Sequence, residues 1–195
     1  MPQPPHISRL PVPAIDTLEP DLQKYLRICQ EKLGLVPNVL RAYALRPARL
    51  RNFISVYNEL MLSEESGLST LEREMIAVVV SSGNRCYYCL VAHGQAVREL
   101  SGDPQLGEML VMNYRVAPLP ARHRAMLDFA HRLTTAPDTS FEGERQVLRD
   151  NGFSEADIFD ISETAAFFNY TNRVAAALDM MPNPEYHAMH RQTSP

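Results

Sequence analysis

The stretch that most constrains the fold is an apolar run, residues 75–80, that follows a helix-capping pattern. By itself this run would fit either a buried strand or a buried helix. Ser69 is followed three residues later by Glu72, the spacing of a capping box, in which the two side chains satisfy backbone N–H groups at a helix start. We therefore predict a core helix over residues 69–82.

Helical signals continue through most of the chain. Residues 47–62 carry apolar side chains at helical spacing, which makes one buried stripe and one polar face. Prolines at helix starts and glycines at helix ends mark further segments. These are expected at residues 20–34, 38–46, 86–100, from 103 onward, 122–134, 141–149 and 154–178. No segment alternates apolar and polar residues, so we predict an all-α fold, a helical bundle around the cysteine helix.

Composition and charge exclude several classes of function. A net charge of −4 without a long basic run argues against nucleic acid or anionic lipid as the main partner. No apolar stretch approaches the roughly 20 residues that cross a bilayer, and the proline-rich N-terminus lacks the apolar core of a secretory signal. We expect a cytoplasmic protein that binds neither nucleic acid nor membrane.

Two of the three cysteines, Cys86 and Cys89, form a Cys-x-x-Cys pair. Three cysteines with only two close in sequence do not fit the disulfide framework of a small secreted domain. In a reducing compartment, such a pair is more often catalytic or metal-binding. The third, Cys29, falls at a core spacing from Tyr25 and Leu26, and we interpret it as a buried small hydrophobe.

The pair lies at a predicted helix start, after a turn at Gly83-Asn84. Free N–H groups and the helix dipole stabilise a thiolate there, so we expect a thiol pKa below the usual value of ~8.5. His93 follows Cys89 by four residues on one helix face, where its imidazole can accept the thiol proton. If the helices on either side of the turn pack antiparallel, Glu74 returns beside the pair as a second proton acceptor or an orienting group.

Zinc is an alternative, because Cys-x₂-Cys-x₃-His offers three ligands. Structural zinc usually has four, and the sequence has no second cluster of Cys or His. The other histidines are interpreted as surface residues, with His187 and His190 in a polar tail. Haem attachment is excluded because Leu90, and not histidine, follows Cys89. We therefore expect neither a metal nor another cofactor.

A weak internal repeat relates residues 67–89 to residues 152–174. The alignment matches Gly67 with Gly152, Ser69 with Ser154, and Asn84 with Asn169. Thr171 and Val174 replace the cysteines in the second copy. We predict one domain over residues 1–195, with an extended arm at 1–20, a catalytic half at 21–100, and a degenerate second half and tail at 101–195.

A polar patch interrupts the mostly apolar last long helix. Its members are Asn169, Tyr170, Asn172 and Arg173. Buried polar groups need partners. We interpret the patch as joining the two halves or subunits, in preference to lining a pocket.

The run Glu74, Cys86, Cys89 and His93 resembles the core motif of the AhpD-like (alkylhydroperoxidase D) proteins of the carboxymuconolactone decarboxylase superfamily. The segments KLGLVPN, EREMIAVVVSSGNRCYYC and FFNYTNRVAAAL resemble its peroxidase-related branch. The resemblance implies an all-helical antioxidant enzyme that forms a dimer, trimer or hexamer and reduces hydroperoxides. Cys89 would attack the peroxide, Cys86 would close a disulfide, and Glu74 and His93 would relay protons. A thiol or protein reductant would regenerate the pair.

One position departs from this motif. Tyr88 stands where AhpD proteins resembling this chain carry a second histidine, and Asn84 and Tyr88 are taken as supporting residues. A phenol with a reference pKa near ~10 shuttles protons poorly at neutral pH. General thiol–disulfide exchange and a non-catalytic, redox-sensing oligomer therefore stay open as alternatives. The decarboxylase branch lacks the cysteine pair, which argues against lactone chemistry.

Overall fold

The computed structural model describes residues 2–192, in which nine α-helices occur and no β-strand. Met1 and residues 193–195, the ends of the predicted arm and tail, lie outside the described residues. The helices are α1 (Pro20–Leu33), α2 (Asn38–Tyr43), α3 (Pro47–Leu62), α4 (Thr70–Gly83), α5 (Tyr87–Ser101), α6 (Pro104–Asn113), α7 (Ala121–Thr135), α8 (Glu142–Asp150) and α9 (Glu155–Ala177). The predicted all-α fold is confirmed. None of the helices in the described range is long and apolar enough to span a membrane.

The capping box begins α4 as the sequence predicts. Ser69 Oγ accepts a hydrogen bond from the Glu72 N–H at 3.2 Å, and Glu72 Oε2 accepts one from the Ser69 N–H at 2.8 Å. The side chains of residues 75–80 are fully buried, so α4 is enclosed on all sides. Helices α5, α6, α7 and α9 pack against it. Helix α4 is therefore the axis of the bundle.

The reversal between α4 and α5 differs from the predicted Gly83-Asn84 turn. Gly83 is the last residue of α4, and a Cβ there would lie 3.1 Å from Thr134 Cγ2 on α7. Arg85, with a φ of 55°, is the residue that takes the left-handed conformation. The Cys86 N–H then donates to the Ser81 carbonyl at 3.0 Å. Gly83 thus allows α4 and α7 to pack closely, and the left-handed conformation of Arg85 reverses the chain direction between α4 and α5.

The N-terminal arm is extended apart from a 3₁₀ turn at Ile15–Thr17. The arm packs against its own chain, beside the segment that follows α9. The Arg9 N–H donates to the Leu178 carbonyl, and the Met181 N–H donates to the Ile7 carbonyl, both at 3.0 Å.

The C-terminal segment is part of the fold, which corrects the expectation of a polar tail. Tyr186 is buried, and the chain after it packs along α5. The Arg98 guanidinium donates to the carbonyls of Tyr186 and Met189 at 2.9 Å and 3.2 Å. No local pattern in the sequence predicts these contacts, because Arg98 lies about ninety residues before the carbonyls that it binds.

The two copies of the predicted repeat share a capping box, and one pair of equivalent positions is in contact. Helix α9 begins with a second capping box, in which Ser154 Oγ accepts from the Asp157 N–H at 3.1 Å and Asp157 accepts from the Ser154 N–H at 2.8 Å. Asn84 Nδ2 donates to Oδ1 of its counterpart Asn169 at 3.0 Å. The duplication stays a prediction, and these paired contacts support it.

Removing the α4 cap should weaken the whole bundle, since α4 is its axis. We expect Ser69→Ala to lower the free energy of unfolding by about 1 kcal/mol, the usual effect of losing a side-chain cap. Urea denaturation followed by circular dichroism measures this change. Thr70→Ala, one residue further on, is the control, because the side-chain cap of α4 comes from Ser69 and not from Thr70. Equal stability losses in the two variants would contradict the capping role.

Candidate active site

A cavity of about 700 Å³ opens beside α5 and brings most of the predicted site residues together. Its wall is mostly apolar, with side chains from α1, α3, α5 and α9. Glu74, Tyr88, Cys89 and His93 line it, whereas Cys86 does not. Of the two cysteines, Cys89 is therefore the one that lines the cavity.

Glu74 and His93 meet inside this cavity. The His93 Nδ1–H donates to Glu74 Oε2 at 2.7 Å, and both side chains are largely buried. Phe168 packs edge-on against the imidazole, with ring centroids 4.7 Å apart. Because the carboxylate is an acceptor, the proton belongs on Nδ1 and Nε2 is left as the basic nitrogen. The pair is thus an oriented proton acceptor one helical turn from Cys89.

The two sulfurs are free thiols, 3% and 4% exposed for Cys86 and Cys89. Cys86 is the N-cap residue of α5. The contact with the Cys89 side chain is the largest cause that lowers the pKa of Cys86, to about 7, and the N–H groups of the first turn of α5 and the charge of His93 act in the same direction against burial. The same contact holds a proton on Cys89 and, with burial, raises the pKa of Cys89 well above its usual value. The opposite directions of the two pKa shifts favour one ionised form of the pair, a shared thiolate with its charge on Cys86.

The two cysteines differ in how readily they ionise and in whether they line the cavity. The pKa shifts favour ionisation of Cys86, which does not line the cavity, whereas Cys89 lines the cavity and holds its proton more firmly. Transfer of that proton to Cys86 or to His93 makes Cys89 the thiolate.

Tyr88 anchors the fold next to the cysteines. Its hydroxyl accepts a hydrogen bond from the Val39 N–H at 2.9 Å, which ties the start of α2 to α5. Burial raises the pKa of Tyr88 well above its usual value. The phenol therefore keeps its proton at neutral pH and holds α2 in place, a different role from that of an exchangeable imidazole.

Asn84 and the polar patch of α9 form an amide network. Asn84 Nδ2 donates to Oδ1 of both Asn169 and Asn172 at 3.0 Å. Asn172 Nδ2 donates to Ser81 Oγ at 3.0 Å. The network ties the α4–α5 reversal to α9, in agreement with the interpretation that these residues join the two halves.

Cys29 lies in the wall of the cavity, which corrects its interpretation as a buried core residue. It is only partly buried, and burial raises the pKa of its thiol. His190 from the C-terminal segment lines the cavity as well. Local periodicity missed both contacts because each depends on the packing of distant segments. Within residues 2–192, no group of three or more His, Cys, Asp or Glu is placed to hold a metal ion.

A helical bundle with a Cys-x-x-Cys pair at a helix N-cap and a neighbouring Glu–His pair defines the AhpD-like class. The profile of the carboxymuconolactone decarboxylase family matches residues 47–111, which run from α3 into α6. With the two relatives described next, this shows that the chain belongs to the AhpD-like group of the carboxymuconolactone decarboxylase superfamily.

Solved structures cover nearly the whole chain. An uncharacterized peroxidase-related protein from Silicibacter sp. TM1040 is 61% identical, with 98% of this chain and 100% of that chain covered and a TM-score of 0.93. An alkylhydroperoxidase AhpD core protein from Ralstonia eutropha JMP134, also peroxidase-related, is 40% identical, with 97% and 99% covered and a TM-score of 0.94. The debrominase Bmp8 shares the fold at 20% identity, with 95% and 96% covered and a TM-score of 0.76. Among curated proteins none matches the chain.

The shared thiolate should be visible in thiol reactivity. In a Cys29→Ser background, we expect alkylation of the reduced pair by iodoacetamide to rise with pH around a midpoint near 7, the lowered pKa of Cys86. Cys89→Ala removes the thiol donor and should move the Cys86 midpoint up toward ~8.5, the value of an ordinary thiol. Stopped-flow alkylation between about pH 5 and about pH 10 gives both curves. A midpoint at the ordinary value before Cys89 is removed would contradict the shared thiolate.

Proposed function

We propose that this protein is a thiol-dependent peroxidase that reduces organic hydroperoxides with its Cys86–Cys89 pair. The observation that carries this proposal is the mostly apolar cavity whose wall includes Cys89 of the cysteine pair and the hydrogen-bonded Glu74–His93 pair. The mostly apolar wall suits the organic part of an alkyl or aryl hydroperoxide. The peroxidase-related names of the 61% and 40% identical relatives support the same activity.

The first half of the reaction uses Cys89 and His93. The Cys89 proton passes to His93 Nε2, and the Glu74 carboxylate stabilises the resulting imidazolium. The Cys89 thiolate attacks one peroxide oxygen, so that an S–O bond forms and the O–O bond breaks. The leaving alkoxide takes the proton from His93 and departs as an alcohol, which leaves a sulfenic acid on Cys89.

The second half of the reaction uses Cys86. Its thiolate attacks the Cys89 sulfur, an S–S bond forms, and hydroxide leaves and is protonated to water by solvent through His93. The pair has then given two electrons to the peroxide. Two equivalents of a thiol, or one protein dithiol, reduce the disulfide and restore the thiolate by exchange. No cofactor takes part in this cycle.

General thiol–disulfide exchange is the second candidate. Its support is the N-cap position of Cys86, which gives an attacking thiol its low pKa. Cys86 is only 3% exposed, however, so a folded protein disulfide has little access to it. A small hydroperoxide that enters the cavity fits the geometry better. Assembly into a homo-oligomer and a cytoplasmic location are further expectations of this proposal.

Rapid oxidation by a hydroperoxide tests the proposal. Reduced protein mixed with cumene hydroperoxide should turn over in the presence of a dithiol reductant, and the consumption should be lost in Cys89→Ser. Cys86→Ser should stop after one equivalent of peroxide, because the sulfenic acid has no partner. Cys29→Ser, a cavity thiol without a role in the cycle, is the matched control and should turn over normally. A single slow oxidation without turnover would instead support the redox-sensing alternative.

Glu74 should matter through its contact with His93. We expect Glu74→Gln to lower the rate constant of peroxide reduction about 10–100-fold, because the imidazolium loses its ionic partner. Stopped-flow oxidation at several pH values measures this loss. Glu99→Gln, a carboxylate that lines the same cavity away from His93, should leave the rate nearly unchanged. Equal effects of the two substitutions would mean that Glu74 acts only through the charge of the cavity.

A further inference from the structure

Five aromatic rings form a continuous row in the wall of the cavity. They come from α3, α5 and α9, and in their order along the row they are Tyr57, Phe53, Phe167, Phe168 and His93. Neighbouring ring centroids in this order are 6.0, 5.8, 5.4 and 4.7 Å apart. All four separations fall in the range of roughly 4.5–7 Å at which aromatic pairs interact. We call these five residues the aromatic row.

The aromatic row contains both enclosed and accessible rings. Phe53 and Phe168 are buried, at 9% and 2% exposure, whereas Tyr57, Phe167 and His93 are only partly buried. The enclosed rings hold the accessible ones in place. Phe167, for example, packs against Phe53 at an interplanar angle of 36° and edge-on against Phe168 at 77°. The row therefore presents oriented ring surface to a molecule in the cavity.

The aromatic row ends close to the cysteine that lines the cavity. His93 is the last ring of the row, and it follows Cys89 by one turn of α5. Ala92 and Ala96 line the cavity from the same helix, three and seven residues after Cys89. At these spacings the side chains share one face of the helix, and each alanine adds only a methyl group to it. The cavity thus has room for a ring beside Cys89.

An apolar wall by itself does not distinguish an aromatic molecule from a saturated one, because apolar burial is non-directional. Aromatic pairs gain a further contribution from the charge distribution of their rings. We propose that the aromatic row selects hydroperoxides whose organic part is an aromatic ring, with one carbon between that ring and the peroxide group. This short spacing lets the ring contact the end of the row while a peroxide oxygen reaches Cys89. The inference rests on the proposed function, in which Cys89 attacks the peroxide.

A pair of ligands that differ only in their ring tests this selection. The ligands are 2-phenylpropan-2-ol, the alcohol formed from cumene hydroperoxide, and 2-cyclohexylpropan-2-ol, its ring-saturated counterpart. Neither alcohol is consumed, so the Kd of each for the reduced protein can be measured by ligand-observed NMR titration. The saturated ring is the more apolar of the two, so a cavity that only buries surface binds the cyclohexyl alcohol at least as tightly.

We expect the phenyl alcohol to bind about 2–10-fold more tightly than the cyclohexyl alcohol, the effect of one favourable aromatic contact. Equal affinities, or tighter binding of the cyclohexyl alcohol, would overturn the proposal. Because both alcohols carry the same hydroxyl group on the same carbon, a difference in their Kd values reports the ring alone.

Phe167→Leu removes an accessible ring of the row and keeps an apolar side chain in its place. The preference for the phenyl alcohol should fall to none in this variant. Ile28→Ala is the matched control, since Ile28 lines the cavity outside the aromatic row and should affect both alcohols alike. Thermal unfolding checks that each variant folds, and if Phe167→Leu does not fold, the native comparison decides. An unchanged preference in folded Phe167→Leu would contradict the role of the row.

Alcohol binding separates this inference from the proposed function, because it requires no reaction at the cysteines. A preference for the phenyl alcohol in protein that never consumes cumene hydroperoxide keeps the aromatic selection and refutes the peroxidase. Turnover of cumene hydroperoxide by protein without that preference keeps the peroxidase and refutes the aromatic selection. If both hold, kcat/KM for cumene hydroperoxide relative to its ring-saturated counterpart should fall about 2–10-fold in Phe167→Leu, mainly through KM, as expected for a lost binding contact.

Discussion

The contact between the Glu74 carboxylate and the His93 imidazole is the constraint on which the site depends. A carboxylate buried at the centre of a bundle requires a charged or hydrogen-bonding partner. That partner is on the next helix, so α4 and α5 must lie side by side with a short reversal between them. The reversal places Cys86 at the N-cap of α5, next to the backbone N–H groups of the first turn, which have no partner within the helix.

A reactive thiol must be ionised and must also reach the cavity. One buried thiol cannot easily do both, and in this site the two cysteines divide the requirements. The pKa shifts favour ionisation of Cys86, and Cys89 lines the cavity. In the proposed mechanism, transfer of one proton exchanges the charged and the neutral cysteine, which are acids of the same kind. The Glu74–His93 pair then acts on the state in which Cys89 is charged.

Local signals in the sequence predicted the fold and most of the site. The capping box at Ser69 settled the choice between helix and strand, and the spacing of Cys89 and His93 followed from one helix face. Features that depend on tertiary contacts were missed. Arg85 takes a left-handed conformation without being glycine, and Asn172 contacts Ser81 across 91 residues of chain. Neither arrangement has a periodic pattern; the Asn84–Asn169 match in the repeat was the nearest hint.

Chemical trapping of the first oxidised sulfur tests the central claim that Cys89 attacks the peroxide. Cys86→Ser protein, treated with one equivalent of cumene hydroperoxide in the presence of dimedone, should carry the dimedone adduct on Cys89 when its peptides are analysed by mass spectrometry. Cys89→Ser protein, which keeps the Cys86 thiolate outside the cavity, should form little or no adduct under the same conditions. An adduct that forms faster on Cys86 than on Cys89 would contradict the account.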